Sequence, residues 1–157
     1  YYITGDGGYV DEEGYLFIMG RTDDVINVAG HRLSTGEMEE VIAEHDAVAE
    51  CAVIGVHCKL KGQVPLALAI VKNGVEMADN QLEQELKAEI RKQIGAIATL
   101  RQVLVVERLP KTRSGKILRK TMRQMVDGEA YQVPSTIDDP EILTELSERF
   151  KELAIEV

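Results

Sequence analysis

Two apolar runs, residues 48–56 and 66–71, limit what this chain can fold into. Both are rich in β-branched residues and read as buried or half-buried strands. The connector over residues 57–63 is polar and contains Gly62. Helical patterns flank the pair. Ser34 and Glu37 have the spacing of a capping box, and Met38, Val41, Ile42 and His45 continue a helix to about residue 45. His45 there suits a helix-end surface residue. Asn80 caps a second helix, with Leu82, Leu86, Ile90 and Ile94 on its buried edge and Gly95 at its C-terminal stop. Arg91 and Lys92 fall in its last turn, where cations complement the helix dipole. A third strand over residues 103–107 follows, then a helix starting directly after Lys116 and stopped by Gly128. Residues 129–138 read as a loop. Asp139 and Pro140 open a terminal helix carrying Leu143, Leu146, Phe150 and Leu153 on one stripe. Upstream, residues 9–18 read as a hairpin. A polar break at residues 20–24, a boundary or pivot, precedes a strand-like run at 25–28. The pattern predicts a small α+β or α/β domain with helices packed on a sheet.

A chain of 157 residues suffices for one core with a small appended element. It opens Tyr1-Tyr2-Ile3-Thr4, without an initiator Met or leader, and is read as a piece of something longer. No apolar run approaches the ~18–20 residues that cross a bilayer, so no membrane association is expected. The net charge of −9 is unevenly spread: from Asp127 onward 9 acids face 2 bases, whereas residues 108–123 hold seven bases and no acid. Such a local basic surface suits a compact phosphorylated ligand, and the sparse aromatics argue against nucleic acid. Cys51 and Cys58 form neither a CxxC pair nor a disulfide framework, and His57-Cys58 lacks a second ligand pair. No metal site and a reducing compartment are expected.

Within the basic stretch, Pro110-Lys111-Thr112-Arg113-Ser114-Gly115-Lys116 joins the third strand to the helix behind it. Three cations on a flexible Gly/Ser turn either make a solvated loop or place one ammonium on an anion. It is not a P-loop: the upstream glycine is missing, and Ile117 stands where a hydroxyl residue belongs. Asp6, among Gly5, Gly7 and Gly8, marks either a plain turn or a carboxylate able to accept two hydrogen bonds from a vicinal diol.

Four motifs then fall in order: Tyr2 to Asp6 as Tyr-x-Thr-Gly-Asp; Gly20 to Asp24 as Gly-Arg-x-Asp-Asp; Gly30, Arg32, Glu37 and Glu39 as Gly-x-Arg-(x)4-Glu-x-Glu; and Pro110 to Lys116. Together they resemble the adenylate-forming superfamily, and the wording at residues 28–34, 94–99 and 109–116 is most similar to its acetyl-/propionyl-CoA synthetase branch. The resemblance implies an α+β fold, a small β-hairpin plus a mixed three-stranded sheet packed with helices. It implies the end of a large N-terminal domain at 1–22, a mobile C-terminal domain at 23–134 and an acidic helical tail at 135–157. The enzyme would be an acid–thiol ligase using ATP, CoA and a short-chain carboxylate, with Mg2+ arriving on ATP. This segment alone would be inactive, since the substrate pocket belongs to the large domain.

By position in the motifs, Lys116 would be the adenylation lysine, Asp6 and Arg21 would hold the ribose, and Arg32 would face the AMP phosphate. Asp23 would be the hinge, Gly30 would border the CoA thiol channel, and Arg91 would reach the CoA 3′-phosphate. Lys111 and Arg113 would attract the anion. The resemblance further implies a cytoplasmic or mitochondrial-matrix enzyme whose Lys116 meets a lysine acyltransferase and deacylase. Other readings are a peptide-synthetase adenylation domain, a longer-chain acyl-CoA ligase, or a non-catalytic nucleotide- or CoA-binding module.

Overall fold

A computed structural model describes residues 5–153. Strands β1 (Asp6–Val10) and β2 (Leu16–Arg21) form a separate antiparallel hairpin. A single 3-10 turn, Thr22–Asp24, leads to β3 (Val25–Val28) and β4 (His31–Ser34). There follow α1 (Thr35–Ala43), β5 (Val48–Cys58), β6 (Gly62–Val71), α2 (Asp79–Gln93), β7 (Val103–Val105), α3 (Arg119–Val126) and α4 (Glu141–Leu153). The class is α+β, as expected, but the main sheet has five strands rather than three. The two additional strands are β3 and β4. Residues 31–34 contain one apolar side chain, Leu33, so no periodicity announces a strand there. The turn makes it instead: Ala29 and Gly30 both have positive φ (48° and 84°), the signature of a type I′ hairpin.

β6 is the hub of the sheet. β5 pairs with it antiparallel from Val48↔Val71 to Cys58↔Gly62. β3 joins at Val28↔Gly62, and β7 lies parallel to it at residues 67–69. Side chains alternate along β5 and β6, so the two continuous apolar runs supply two cores. Val53, Ala67 and Ala69 pack with Met38 and Ile42 of α1 and with Leu82, Leu86 and Ile90 of α2. Ala52, Ile54, Leu66 and Leu68 pack with Met122 of α3 and with Leu143, Leu146 and Phe150 of α4. The acidic terminal helix is therefore part of this domain's core. Each such large side chain contributes roughly 1.5–3 kcal/mol on burial.

Local signals held at most helix ends. Ser34 Oγ accepts the Glu37 N–H at 3.3 Å, and Asp139 Oδ1 accepts the Glu141 N–H at 2.9 Å. Asn80 is not the cap of α2. The helix starts at Asp79 behind Ala78, which makes no side-chain cap bond, and Asn80 lies exposed in the first turn. α3 starts at Arg119 rather than directly after Lys116, because Ile117 bridges Lys111 and the Leu118 N–H bonds Pro110 O at 2.9 Å. The β1–β2 hairpin shows apolar side chains to solvent, among them Tyr9, Val10, Leu16 and Ile18, with Tyr9 stacked on Phe17 at 5.1 Å.

Candidate active-site face

A groove of about 760 Å³ runs between the hairpin and the N-terminal end of α1. Its polar lining includes Arg21 from β2, Arg32 from β4, Ser34, Glu37 and Glu39. The 3-10 turn beneath it is fastened on both sides. Thr22 donates from N and Oγ1 to Gly5 O, each at 2.8 Å, and Thr35 Oγ1 donates to Asp24 O at 3.0 Å. Asp23 is the middle residue of that turn, and its side chain lies outside the described residues, as do Tyr2 and Thr4 of the first motif. Asp6 stands directly across the ladder from Arg21, which brings two of the sequence-predicted residues together. Arg32 is exposed and pairs across its hairpin with Asn27. Gly30 forms the tip of the same hairpin, and nothing lies within 4 Å of where a Cβ would stand.

Lys116 and Arg91 do not line this groove. Arg91 is exposed in the last turn of α2. Lys116 sits on a hairpin of its own, which replaces the expected flexible loop. The Thr112 N–H bonds Lys116 O at 2.8 Å, the Gly115 N–H bonds Thr112 O at 2.8 Å, and Gly115 takes φ 85°. This is a three-residue hairpin loop closed by a left-handed glycine. Thr112 Oγ1 also accepts the Lys116 N–H at 3.1 Å. The backbone is thus held while the Lys116 side chain is exposed.

The surrounding cations divide by function. Arg108 forks between Asp139 and Glu145, Lys111 pairs with Glu50, and Arg119 pairs with Glu39. Lys111 is therefore a tie to β5, not a charge offered to an anion. Among the described residues Arg113, Lys116, Lys120 and Arg123 carry no ion pair. The Arg119–Glu39 pair was not foreseen. Glu39 also accepts the Val53 N–H at 2.8 Å, so one carboxylate fastens α1 to β5 and to α3. Burial disfavours the Arg119 charge, but its hydrogen bonds to the Glu39 carboxylate and that group's negative charge outweigh it and raise its pKa above the usual arginine range. Burial, reinforced by Glu39 and Glu50, pushes the Cys51 thiol up to about 12, so it is an inert core residue. The Cys58 thiol is pulled down by the backbone N–H groups of Lys61 and Leu60. Neither cysteine forms a disulfide.

Comparison with known proteins places this geometry in context. Residues 37–116 match the profile of the AMP-binding enzyme C-terminal domain. An uncharacterized protein of Pseudomonas aeruginosa is 65% identical over 146 residues, which cover 93% of this chain and 23% of that protein. The mitochondrial acyl-CoA synthetase short-chain family member B of Dictyostelium discoideum is 51% identical over 151 residues, covering 96% of this chain and 22% of that one. The crystal structure of ATP-bound MatB from Rhodopseudomonas palustris superposes with a TM-score of 0.66 at 28% identity, over 80% of this chain and 24% of that one. The chain thus spans under a quarter of the length of the curated relatives it matches.

Proposed function

Since the chain belongs to the AMP-binding enzyme C-terminal domain family, we propose that it is the lid domain of an AMP-forming short-chain acyl-CoA synthetase. Residues 1–22 close the large N-terminal domain, 23–134 form the mobile domain, and 135–157 are an acidic helical tail whose helix α4 packs into that domain's core. In the first half-reaction a carboxylate oxygen of acetate or propionate attacks the α-phosphorus of Mg-ATP. The bond to the bridging oxygen breaks, pyrophosphate leaves, and an acyl-adenylate forms. In the second, the CoA sulfur attacks the acyl carbon and AMP leaves.

One observation carries this reading. In a stretch of seven bases, Arg108, Lys111 and Arg119 are consumed by carboxylates. Of the four that carry no ion pair among the described residues (Arg113, Lys116, Lys120 and Arg123), Lys116 is the exposed one whose own backbone N–H is pinned at the base of the hairpin. Two anions must meet in adenylation, and a cation held where negative charge accumulates lowers that barrier. Lys116 bridges the attacking carboxylate and the α-phosphate. Asp6 and Arg21 hold the ribose, supported by their facing positions on the hairpin. Arg32 faces the AMP phosphate once the lid has turned about Asp23, supported by the isolated 3-10 turn between hairpin and sheet. Open space at Gly30 leaves room for pantetheine, and Arg91 meets the 3′-phosphate of CoA.

Because Lys116 is exposed, a lysine acyltransferase can reach it, and acylation would remove the charge that adenylation needs. The cytoplasm or mitochondrial matrix fits the two unpaired cysteines. The test is ATP–pyrophosphate exchange by the full-length protein with Lys116→Ala. A loss on the order of 10²–10³ is expected, and near-normal exchange would overturn the role of Lys116.

A further inference from the structure

We propose that residues 134–139, beyond the stretch matched by the family profile, are a brace that sets the position of the Lys116 hairpin, with Ile137 and Arg108 as its positioning residues. A two-stranded ribbon as short as 111–117 is marginal alone and needs a third strand or a packed face. The tail supplies both. Thr112 bridges Ile137, the Arg113 N–H donates to Thr136 O at 3.0 Å, and the Asp138 N–H donates to Lys111 O at 2.9 Å. These bonds fall on the edge of residues 111–113 that the partner strand, running to Ile117, leaves open. Ile137 is 6% exposed and belongs to the core cluster that contains Met122 and Leu104, so the added strand is anchored by burial.

The far end of the brace is tied as well. Arg108, at the entrance to the hairpin, forks to Asp139, which caps α4, and to Glu145 one turn further along that helix. The chain entering the lysine hairpin and the helix closing the tail are therefore held by one guanidinium. A bidentate fork fixes orientation as well as distance.

This inference rests on the reading that Lys116 touches the reacting anions. A displacement of about 1 Å in such a group can cost up to ~100-fold in rate. Loosening the brace should then slow adenylation and spare thioester formation, which uses the other face of the lid.

The experiment uses the full-length protein with Ile137→Ala, Arg108→Met and Lys116→Ala in parallel. Hydrogen exchange at the Arg113 amide should accelerate at least about tenfold in Ile137→Ala and in Arg108→Met, since its acceptor is in the brace. ATP–pyrophosphate exchange should fall about tenfold or more with the KM for ATP unchanged. Thioester formation from supplied acyl-adenylate should stay at the wild-type rate. An unchanged Arg113 amide overturns the brace. Equal loss in both half-reactions also overturns it, because general destabilisation predicts that pattern. Arg108→Met leaves the core intact and keeps the test decisive if Ile137→Ala folds poorly. Normal exchange in Lys116→Ala, with Arg113 still released by Ile137→Ala, supports the brace as a structural device and overturns the role given to the lysine.

Discussion

The guanidinium of Arg119 holds both carboxylate oxygens of Glu39 at 2.6–3.0 Å, across 80 residues of sequence. The side chains are 24% and 17% exposed, so the pair is shielded from most solvent screening. It joins the first residue of α3 to the helix that borders the Arg32 groove. Lys116 lies three residues before that anchor.

Glu39→Ala would strand a half-buried guanidinium and leave the Val53 N–H without its acceptor. We expect a loss of about 2–4 kcal/mol in chemical denaturation. Replacing both members by Met should cost less than the single change, since no unpaired charge then remains. A single-variant loss below about 0.5 kcal/mol, the range of ordinary surface substitutions, would show that the pair is not a fastening.

Acid should release the tail before it unfolds the sheet. Hydrogen bonds from Arg108 hold Asp139 and Glu145 below the usual carboxylate range, and the Glu141 N–H adds to the effect at Asp139. Depressed folded-state values mean a contribution fully present above the ordinary values of 3.8 and 4.5 and lost as pH falls through the depressed ones. Hydrogen exchange of α4 amides, followed from pH 6 down through those depressed values, should report this loss, and Arg108→Met should flatten it. Equal pH dependence in variant and wild type would rule it out.

Ala29→Asn should stabilise the chain. Ala29 holds φ 48° at the first position of a turn whose second is Gly30, and Asn-Gly is the preferred pair there. Relief of left-handed strain should give about 1 kcal/mol, which raises the thermal midpoint by roughly 2–4 °C in a chain this long. A lowered midpoint would mean that the turn tolerates Ala for another reason.

The sheet's centre was legible because the middles of β5 and β6, residues 51–56 and 66–71, are continuous apolar runs, and burial on both faces leaves no other place for them. Ser34, Asp139 and Gly128 marked helix ends through local chemistry that needs no tertiary context. β4 was hidden, since a four-residue edge strand with one buried side chain carries no period. The order of the Lys116 hairpin was only partly legible: its local bonds run from Thr112 to Gly115 and Lys116, but its outer edge is held by Thr136 and Asp138, about two dozen residues downstream. The partner of Lys111 is equally distant in sequence: Glu50 on β5 is brought opposite it only by the fold. Asp6 facing Arg21 could have been foreseen by counting back through the 9–18 hairpin, although a bulge at Gly7/Gly8 shifts the register by one.

The ladder between β5 and β6 joins residues as near as Cys58 and Gly62 and no farther than Val48 and Val71. Short closures cost little chain entropy, and long ones are rewarded only after both ends are ordered. Hairpins β3–β4 and β5–β6 can therefore close while the chain is still being synthesised. Glu39 must wait for Arg119, and the edge of the lysine hairpin must wait for Thr136 and Asp138. The lysine reaches its station only at the end of folding, so a truncated or stalled chain can hold most of its sheet with the lysine still adrift.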